Sequence, residues 1–310
     1  MIKKQIKNEL LRNTIKNKGI LFLALPGLLL LLAFNYLPML GIIIPFKKID
    51  YAKGILRSDW AGFDNFKFLF SGSNIIRATY NTLIQNALFI VITLVVSFSF
   101  ALILYDLSSR KVKLYQTAFF IPFFLSWVVV SYVVYAFLNP DLGIINQILK
   151  IFGVNEAINW YGEPQCWRVI LVICYLWKYT GYYTILYYTS LIGIDSTYYE
   201  ASSIDGATRR QQIWSISIPL VLPVMIMLVL LQIGKIFFSD FGLFYFIPKN
   251  TGVLFPTTDV IDTFVFRSLQ NDPNLGMTAA AGLFQTVAGF ILVMAANKLT
   301  KKLNSDLALF

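Results

Sequence analysis

The residue types that carry most enzymatic and metal chemistry are rare or missing in this sequence. It contains no histidine, and its only cysteines are Cys166 and Cys174. The usual zinc and haem ligand sets are therefore excluded, and so is the commonest general base. We interpret both cysteines as small buried residues. We expect no metal site and no catalytic site, so the remaining candidates are ionisable and aromatic residues in apolar surroundings.

One candidate is Lys178, which interrupts an apolar run and is flanked by aromatic residues. An ionisable residue in such a run has to face protein or water. Aromatic rings with polar edges offer faces on which sugar rings stack. The group is therefore predicted either to line a sugar path, with Lys178 attracting a carboxylate, or to form an interhelix ion pair beside interfacial aromatic residues. The candidate residues of such a path are Trp177, Lys178, Tyr179, Tyr182 and Tyr183.

A second candidate is the stretch YYEASSIDGATRRQQIWSISIPLVLP, residues 198–223. Apolar residues recur in it near helical spacing among polar ones, which predicts a short amphipathic helix. Gly206 interrupts this pattern and allows a bend or a close approach by a partner's backbone. Such a helix suits insertion into another protein, and it equally suits a position at the membrane surface.

The elements that must position these residues are membrane-spanning helices. Hydrophobic residues make up 57% of the chain, charged residues 14%, and the mean hydropathy is +0.66. Six apolar stretches reach the roughly 20 residues that a helix needs to cross a bilayer. They cover residues 20–45, 82–105, 115–138, 169–192, 216–238 and 275–296. The first is too long for a secretory signal, so we predict a retained helix bent at Pro26 and Pro38.

The basic residues predict how these helices are oriented. A cluster that includes Lys3, Lys4, Lys7 and Arg12 precedes the first span, and lysines and arginines are more frequent on that side of the membrane. Because cytoplasmic segments carry the excess of Lys and Arg, both termini are predicted to be cytoplasmic. The stretch 198–223 then forms a cytoplasmic loop. Topology accounts for the net charge of +10, and no nucleic-acid partner is needed.

The polar loop resembles a known motif. It reads Glu200-Ala201-Ser202, three residues, Gly206, nine residues, then Ile216-Ser217-Ile218-Pro219. This pattern is similar to the EAA loop of binding-protein-dependent ABC import permeases, which reads E-A-A, three residues, G, nine residues, I-x-L-P. Two departures are mild: Ser202 replaces the last alanine, and Ile218 replaces the leucine. The resemblance implies a coupling helix seated in a groove of an ATP-hydrolysing subunit. The implied coupling residues are Glu200, Ala201, Ser202, Ile204, Asp205, Gly206, Ala207, Ile216 and Pro219.

The resemblance also implies roles within the loop. Glu200 would pair with donors of the groove, Gly206 would permit close approach, and the small apolar residues would fill the groove floor. The residues alone allow another interpretation of Glu200, as an acid stabilised at a helix N-terminus by the helix dipole. Arg209 and Arg210 are predicted mainly as cytoplasmic anchors of the topology.

Similarity to oligosaccharide and polysaccharide permeases of Gram-positive bacteria extends over most of the chain. It is carried by LPGLLLLLAFNYLPMLGIIIPFKKIDYAKGI, WAGFDNFKFLF, NPDLGIINQIL, LWKYTGYYTILYYTSL and LGMTAAAGLFQTVAGFILVMAANKLTKKL. In that group two related permeases form a heterodimer in the cell membrane, with an ATPase dimer inside and a sugar-binding lipoprotein outside. The chain resembles the first permease of such a pair.

The resemblance implies an all-α integral membrane protein with six transmembrane helices in the type I ABC importer transmembrane-domain fold. We divide it into a basic cytoplasmic tail (1–19), a first transmembrane helix with an external loop (20–79), a permease core (80–297) and a cytoplasmic tail (298–310). The coupling loop covers 195–219 within the core.

The sequence has no G-x-x-x-x-G-K-[ST] motif, so we expect ATP and Mg²⁺ to bind the partner ATPase and no cofactor to bind this chain. It would be a non-hydrolysing subunit that forms half of a path for oligosaccharides or polysaccharide fragments. A stand-alone secondary transporter or channel is the alternative, but it would need an acid–base relay, and no acid within a span partners Lys178. A membrane-embedded enzyme would need an activated nucleophile or a metal cluster, and the sequence shows neither of them and no histidine.

Overall fold

The structure is a computed structural model that describes residues 16–154, 156–271, 274–303 and 308. Most of the N-terminal basic cluster falls outside these residues. The α-helices are α1 (Lys18–Leu31), α2 (Gly54–Arg57), α3 (Phe68–Ser71), α4 (Ser73–Tyr105), α5 (Ser109–Phe124), α6 (Trp127–Leu138), α7 (Ile144–Ile151), α8 (Pro164–Ile192), α9 (Ser196–Ile204), α10 (Arg209–Gln212), α11 (Ile218–Ile233), α12 (Phe241–Phe246), α13 (Phe255–Thr258), α14 (Ile261–Asn271) and α15 (Leu275–Leu303). The strands β1 (Lys47–Lys48) and β2 (Asp59–Trp60) pair antiparallel, with Lys47 opposite Trp60.

Five helical segments of the described chain are long and apolar enough to cross a membrane. They are Lys18–Phe46, Ser73–Tyr105, Pro164–Ile192, Arg209–Ile233 and Leu275–Lys302. The pair α5 and α6 supplies a sixth span, although its two helices meet at an angle of 99°. The prediction of six transmembrane helices is confirmed when this bent pair is counted as one span.

The third span is not the continuous helix expected over residues 115–138. Leu125 and Ser126 adopt extended backbone conformations, so α5 ends at Phe124 and α6 starts afresh at Trp127. Ser126 caps the new helix by accepting a hydrogen bond of 3.3 Å from the Val129 amide. Pro122 lies within the last turn of α5 and lacks an amide donor, which weakens the helix just before the break.

Proline and glycine also change the first and fifth spans. The residues around Pro38 leave the α-helical pattern, with a π-helix over Leu32–Tyr36 and a 3₁₀-helix over Leu37–Phe46. Pro26, by contrast, lies inside α1. The fifth span begins at Arg209, and its helix ends before Gly234 rather than at residue 238. Residues 234–240 therefore form a non-helical segment, which we call the unwound segment.

The bundle is organised around α4 and α8. Side chains of α4 that recur every four residues are buried along the helix, among them Gln85, Phe89 and Ser97. The Ser97 hydroxyl donates a hydrogen bond of 3.3 Å to the carbonyl oxygen of Thr180 on α8. Gly181 lets α5 cross α8 closely, because a Cβ at that position would collide with the backbone of α5. These contacts fix the aromatic side of α8 beside α4.

The N-terminal span is attached at its outer end. The Asn65 amide donates hydrogen bonds to the carbonyl oxygens of Pro45 and Lys47, at 2.8 and 2.9 Å. Asn65 also packs so tightly against Gly276 that a side chain there would clash with it. The side chains of α1 that the structure describes are all exposed. This span therefore presents an apolar surface to lipid or to another protein.

Candidate functional site

The predicted coupling loop contains a well-capped short helix, α9. Asp195 caps its N-terminus by accepting a hydrogen bond of 3.0 Å from the Thr197 amide, and this bond lowers the pKa of the Asp195 carboxyl. Glu200 lies beyond the first turn, where its carboxylate accepts a hydrogen bond of 3.0 Å from the Ser196 hydroxyl. The N-terminal acid of this helix is therefore Asp195, and the dipole interpretation of Glu200 was wrong.

Gly206 ends α9 in a left-handed conformation, with φ of 76°. Its amide donates to the Ser203 carbonyl at 3.1 Å, and the next amide, of Ala207, donates to the Ser202 carbonyl at 2.9 Å. These two bonds form a Schellman motif, which satisfies carbonyls at the end of the helix. An added Cβ at Gly206 would meet no atom within 4 Å, so backbone conformation alone requires glycine within this chain. The space beside it is open to a partner.

The second arm of the loop is tied to the first by Gln212. Thr208 starts this arm and forms a capping box with Gln211. Buried Gln212 then directs its amide nitrogen at the hydroxyls of Ser202 and Ser203, at 3.0 and 2.9 Å. The hydroxyls of Tyr199 and Ser217 lie 2.9 Å apart and form a second cross-link. The two arms are thus joined into one unit.

Arg209 connects this unit to the end of α4. Its guanidinium makes two contacts with the carboxylate of Asp106, at 2.5 and 3.3 Å. It also lies over the rings of Tyr105 and Tyr199, at 5.5 and 5.9 Å from their centroids. Arg209 is therefore more than the topology anchor expected from charge counting, because it links the loop to a helix of the core.

The coupling candidates divide into an outer and an inner group. The exposed ones are Glu200, Ala201, Ile204, Asp205, Gly206 and Pro219. Ile204 is 87% exposed, which leaves an apolar side chain on the surface of the loop. Ser202, Ala207 and Ile216 are half-buried and support the loop from inside. The geometry is that of a rigid projection with an uncovered apolar tip.

A cavity of about 410 Å³ lies between α4, α8, α11 and the unwound segment. Its aromatic lining includes Tyr175, Tyr179, Tyr182 and Tyr183 on one side of α8. Tyr179, Tyr182 and Tyr183 were predicted as path residues, and the structure brings them together. Trp177 is 46% exposed and is not part of this lining.

Lys178 points away from the cavity, into the break of the third span. Its ammonium group donates to the carbonyl oxygens of Phe123, at 3.1 Å, and of Leu125. These carbonyls lie at the end of α5 and lack helical partners, so Lys178 acts as a buried cationic cap. It lies 5.2 Å from the centroid of the Trp127 ring, and no carboxylate of the described residues lies within 4 Å. Neither of the two predicted roles, sugar contact or ion pair, matches this position.

Asp240 links the broken third span to the unwound segment. Its carboxylate accepts hydrogen bonds of 2.6 Å from the Trp127 indole and from the Tyr179 hydroxyl. It also caps α12 by accepting a hydrogen bond of 3.1 Å from the Gly242 amide. Two interruptions in different spans therefore meet at one carboxylate on the cavity wall.

Amide side chains hold the rest of the unwound segment. Asn86 donates to the carbonyl oxygens of Ile236 and Phe238, at 2.7 and 3.0 Å. Gln285 donates to the Phe237 carbonyl at 2.7 Å. Irregular backbone inside a membrane protein persists only where such partners or a water-filled cavity satisfy it. The unwound segment has such partners and also borders the cavity.

Sequence reasoning missed Asn86, Tyr175, Gln232, Lys235 and Asp240 as cavity residues. A signal was present, because Asn86 and Gln232 are amides within long apolar runs, where polar residues tend to face protein or water. Lys235 falls within the predicted span 216–238 and Asp240 just beyond it, because hydropathy does not reveal that the helix ends at Ile233. In the outer stretch TGVLFPTTDVIDTFVF, Leu254, Val260 and Ile261 are fully buried and belong to the core.

Residues 113–305 match the family described as binding-protein-dependent transport system inner membrane component. The chain belongs to this family. It is therefore a multi-pass membrane protein and the permease component of an ABC transporter.

Two relatives from Bacillus subtilis (strain 168) align over nearly the full length. The polygalacturonan/rhamnogalacturonan transport system permease protein YteP is 32% identical over 99% of this chain and 95% of the relative. Protein LplB is 32% identical over 94% of this chain and 91% of the relative. The recognised resemblance to Gram-positive saccharide permeases is confirmed.

Two solved structures share the fold. One is the crystal structure of a bacterial ABC transporter involved in the import of the acidic polysaccharide alginate; its TM-score is 0.86 at 28% identity, covering 96% of this chain and 99% of the other. The second is the alginate transporter in complex with a periplasmic protein bound to an alginate pentasaccharide, with a TM-score of 0.84 at 28% identity and coverage of 94% and 97%. The predicted type I importer fold is confirmed.

Proposed function

We propose that this chain is a permease subunit of an ATP-driven, binding-protein-dependent importer of oligosaccharides or polysaccharide fragments. The observation that carries the proposal is the projecting coupling loop, in which the motif residues Glu200 and Gly206 are exposed around an uncovered Ile204. The similarity to YteP and to the alginate transporter supports acidic polysaccharide fragments as the cargo.

The ATPase is inferred from a missing ATP site, and the other partners are inferred from the resemblance to heterodimeric saccharide permeases. The sequence of this chain contains no phosphate-binding loop, so ATP and Mg²⁺ are held by a cytoplasmic ATPase dimer and this subunit hydrolyses nothing. A second permease completes the path, and an extracellular sugar-binding lipoprotein delivers the cargo. The exposed tip of the loop, with Ala201, Ile204 and Asp205, enters a groove of the ATPase. Arg209 then passes groove movement to α4 through Asp106.

We infer that the coupling loop and both termini lie in the cytoplasm of a bacterial cell. Two basic residues at the start of α5, Arg110 and Lys111, follow the end of α4. Two more, Arg209 and Arg210, lie in the coupling loop, where Arg209 contacts Asp106 at the end of α4. This clustering agrees with an excess of positive charge on the inner side of the membrane. The permease core 80–297 contains the loop, and the N-terminal span 20–79 with its outer segment packs outside this core.

The cavity forms this subunit's half of the sugar path. Tyr179, Tyr182 and Tyr183 present ring faces and hydroxyls, which suit the apolar faces and hydroxyl edges of sugar rings. Lys178 contributes indirectly, because it holds the helix break behind these tyrosines. Trp177 is 46% exposed and lies outside the lining of this cavity.

The test is affinity purification of the tagged chain from its native membrane in mild detergent. We expect a second permease and a P-loop ATPase in stoichiometric amounts, together with ATP-dependent saccharide uptake after reconstitution. Recovery of the chain alone or as a homo-oligomer would contradict the proposal and favour a channel or secondary carrier.

Charge-reversal variants locate the ATPase contact. Glu200→Lys is expected to reduce ATPase recovery and uptake, because it reverses charge on the exposed face of α9. Glu163→Lys is the matched control, since Glu163 is also exposed but precedes α8 at the opposite end of that helix. Equal recovery of the ATPase with both variants would remove Glu200 from the interface.

A further inference from the structure

The cavity wall has two charged side chains, Lys235 and Asp240, and only one of them is available to a ligand. One carboxylate oxygen of Asp240 accepts hydrogen bonds from Trp127 and Tyr179, and the other accepts from the amides at the start of α12. Four donors and the positive end of a helix dipole therefore compensate its charge. Asp240 belongs to the wall and offers little attraction to a cation.

Lys235 is in the opposite situation. It lies two residues beyond the end of α11, and its side chain is exposed, with no hydrogen bond or ion pair to any residue that the structure describes. The other lysine nearby, Lys178, has its ammonium engaged by backbone carbonyls behind the wall. A free ammonium group and a compensated carboxylate give the cavity a positive bias despite equal numbers of charges.

The neighbours of Lys235 show which kind of anion fits. Tyr179, Tyr182 and Tyr183 line the same cavity and provide ring faces for sugars, while Gln232 provides an amide one turn before Lys235. A small inorganic anion would use only the ammonium group and leave these surfaces unused. A chain of sugar rings that carries carboxylates would use all of them.

We propose that Lys235 is the residue that selects acidic saccharides in the translocation path, by pairing with a uronate carboxylate while the tyrosines contact the sugar rings. This rests on the proposed importer function and extends it to a specific side chain. A lysine suits a path better than a bidentate arginine, because its single mobile charge attracts each passing carboxylate without fixing its geometry. Cargo must bind well enough to enter and weakly enough to leave.

The test uses the intact complex with its ATPase and binding protein, reconstituted in proteoliposomes. The probes are trigalacturonate and its fully methyl-esterified form, which have the same rings but differ in charge. Uptake of both is measured for the wild type, Lys235→Gln, Lys235→Arg and the control Lys67→Gln, which removes an exposed lysine of the outer loop. Selection by the binding protein cancels when each variant is compared with the wild type.

We expect Lys235→Gln to lower trigalacturonate uptake about tenfold, which corresponds to the loss of one charged hydrogen bond, and to leave methyl-ester uptake unchanged. Lys235→Arg should retain the preference for the acid, and Lys67→Gln should behave as wild type. If Lys235→Gln lowers uptake of both probes equally, or changes neither, the role of Lys235 is overturned. ATP-driven uptake of either probe by the wild type still supports the importer function in that case. Absence of ATP-driven uptake of both probes by the wild type overturns both proposals.

Discussion

The coupling loop and the cavity wall are both built from polar groups, but their hydrogen bonds span very different distances in the sequence. In the loop, Gln212 reaches back to Ser202 and Ser203, and Gly206 closes a helix only a few residues long. In the wall, Asn86 binds backbone carbonyls 150 and 152 residues away, and Tyr179 binds a carboxylate 61 residues away.

This difference has consequences for how each region behaves. Local bonds form as soon as the loop adopts its turn, so the loop can move as a unit without losing them. Bonds of the wall exist only when several spans are assembled, so any movement of one span must break or exchange them. The loop is therefore suited to transmit movement, and the wall to respond to it.

The largest expected effect comes from removing the cap of the broken third span. Lys178→Met leaves carbonyls at the end of α5 unpaired in a buried position, and we expect a loss of about 3 kcal/mol in stability. Thermal unfolding of the purified complex measures this. The control is Lys235→Met, which changes an exposed lysine on the same cavity wall and should keep stability near the wild-type value. Similar unfolding temperatures for both variants would show that the cap does not hold the wall.

The next effect concerns the carboxylate that joins two spans. Asp240→Asn weakens the bonds from Trp127 and Tyr179, and we expect a cost of about 2 kcal/mol. Tyr179→Phe should cost less alone, and the double variant should cost less than the sum, because both changes remove the same bond. Additive losses in thermal unfolding would separate the two residues and break the proposed link across the wall.

A change within the loop should affect coupling more than stability. Gln212→Leu removes the bonds that join the two arms, at a cost of about 1 kcal/mol. We expect ATP hydrolysis by the complex to persist while uptake per ATP falls, because the loop bends instead of moving as a unit. Gln165→Leu is the control, since Gln165 is an exposed glutamine in the first turn of α8. Unchanged uptake per ATP in Gln212→Leu would mean that the arms move independently.

Gly206 tests the turn by itself. Gly206→Ala forces a Cβ into the left-handed region, which costs about 1 kcal/mol, whereas Gly206→Asn should cost less because asparagine tolerates that region. If only conformation matters, both variants should retain the ATPase in proportion to these costs. Loss of the ATPase with Gly206→Asn as well would show that the open space beside Gly206 is filled by the partner.

The smallest expected effect is a pH dependence of folding stability that arises from Asp262, which binds the unwound segment at Ser239. Burial raises the pKa of the Asp262 carboxyl despite hydrogen bonds from the Ser239 amide and the Gln285 side chain. Its protonated form therefore favours the folded state at low pH, and that contribution is lost as the pH rises through the raised value. Asp262→Asn keeps an acceptor oxygen without the charge, so its stability should decline less between acidic and neutral pH. Parallel pH profiles of unfolding for wild type and variant would contradict this.

The coupling loop could be predicted because its signals are local. Spacing from Glu200 to Pro219 identified the motif, and Gly206 marked the turn that ends α9. The interpretation of Glu200 as an acid at the helix N-terminus was wrong. The helix starts earlier than Glu200, with Asp195 as its N-cap, and the sequence alone does not reveal which residue starts it. Arg209 was predicted from its charge, but its partner Asp106 lies in another loop.

The cavity was only partly predictable. Three tyrosines were placed correctly in one group, since their spacing on α8 puts them on one side of the helix. Lys178 shares that stretch and was grouped with them, yet it faces the break between α5 and α6. Hydropathy does not predict that break, because a straight and a bent apolar segment have the same hydropathy profile.

By itself the sequence determined the membrane class, the number of spans, the family and the coupling motif, since all of these depend on composition or on spacing within one segment. The tertiary structure alone decided where the third and fifth spans break, which lysine faces the cavity and which is buried behind it. The physical reason is that unpaired backbone groups at a helix break need partners, and these come from residues such as Asn86, Lys178 and Gln285 on other helices. No segment carries that information until the helices have packed.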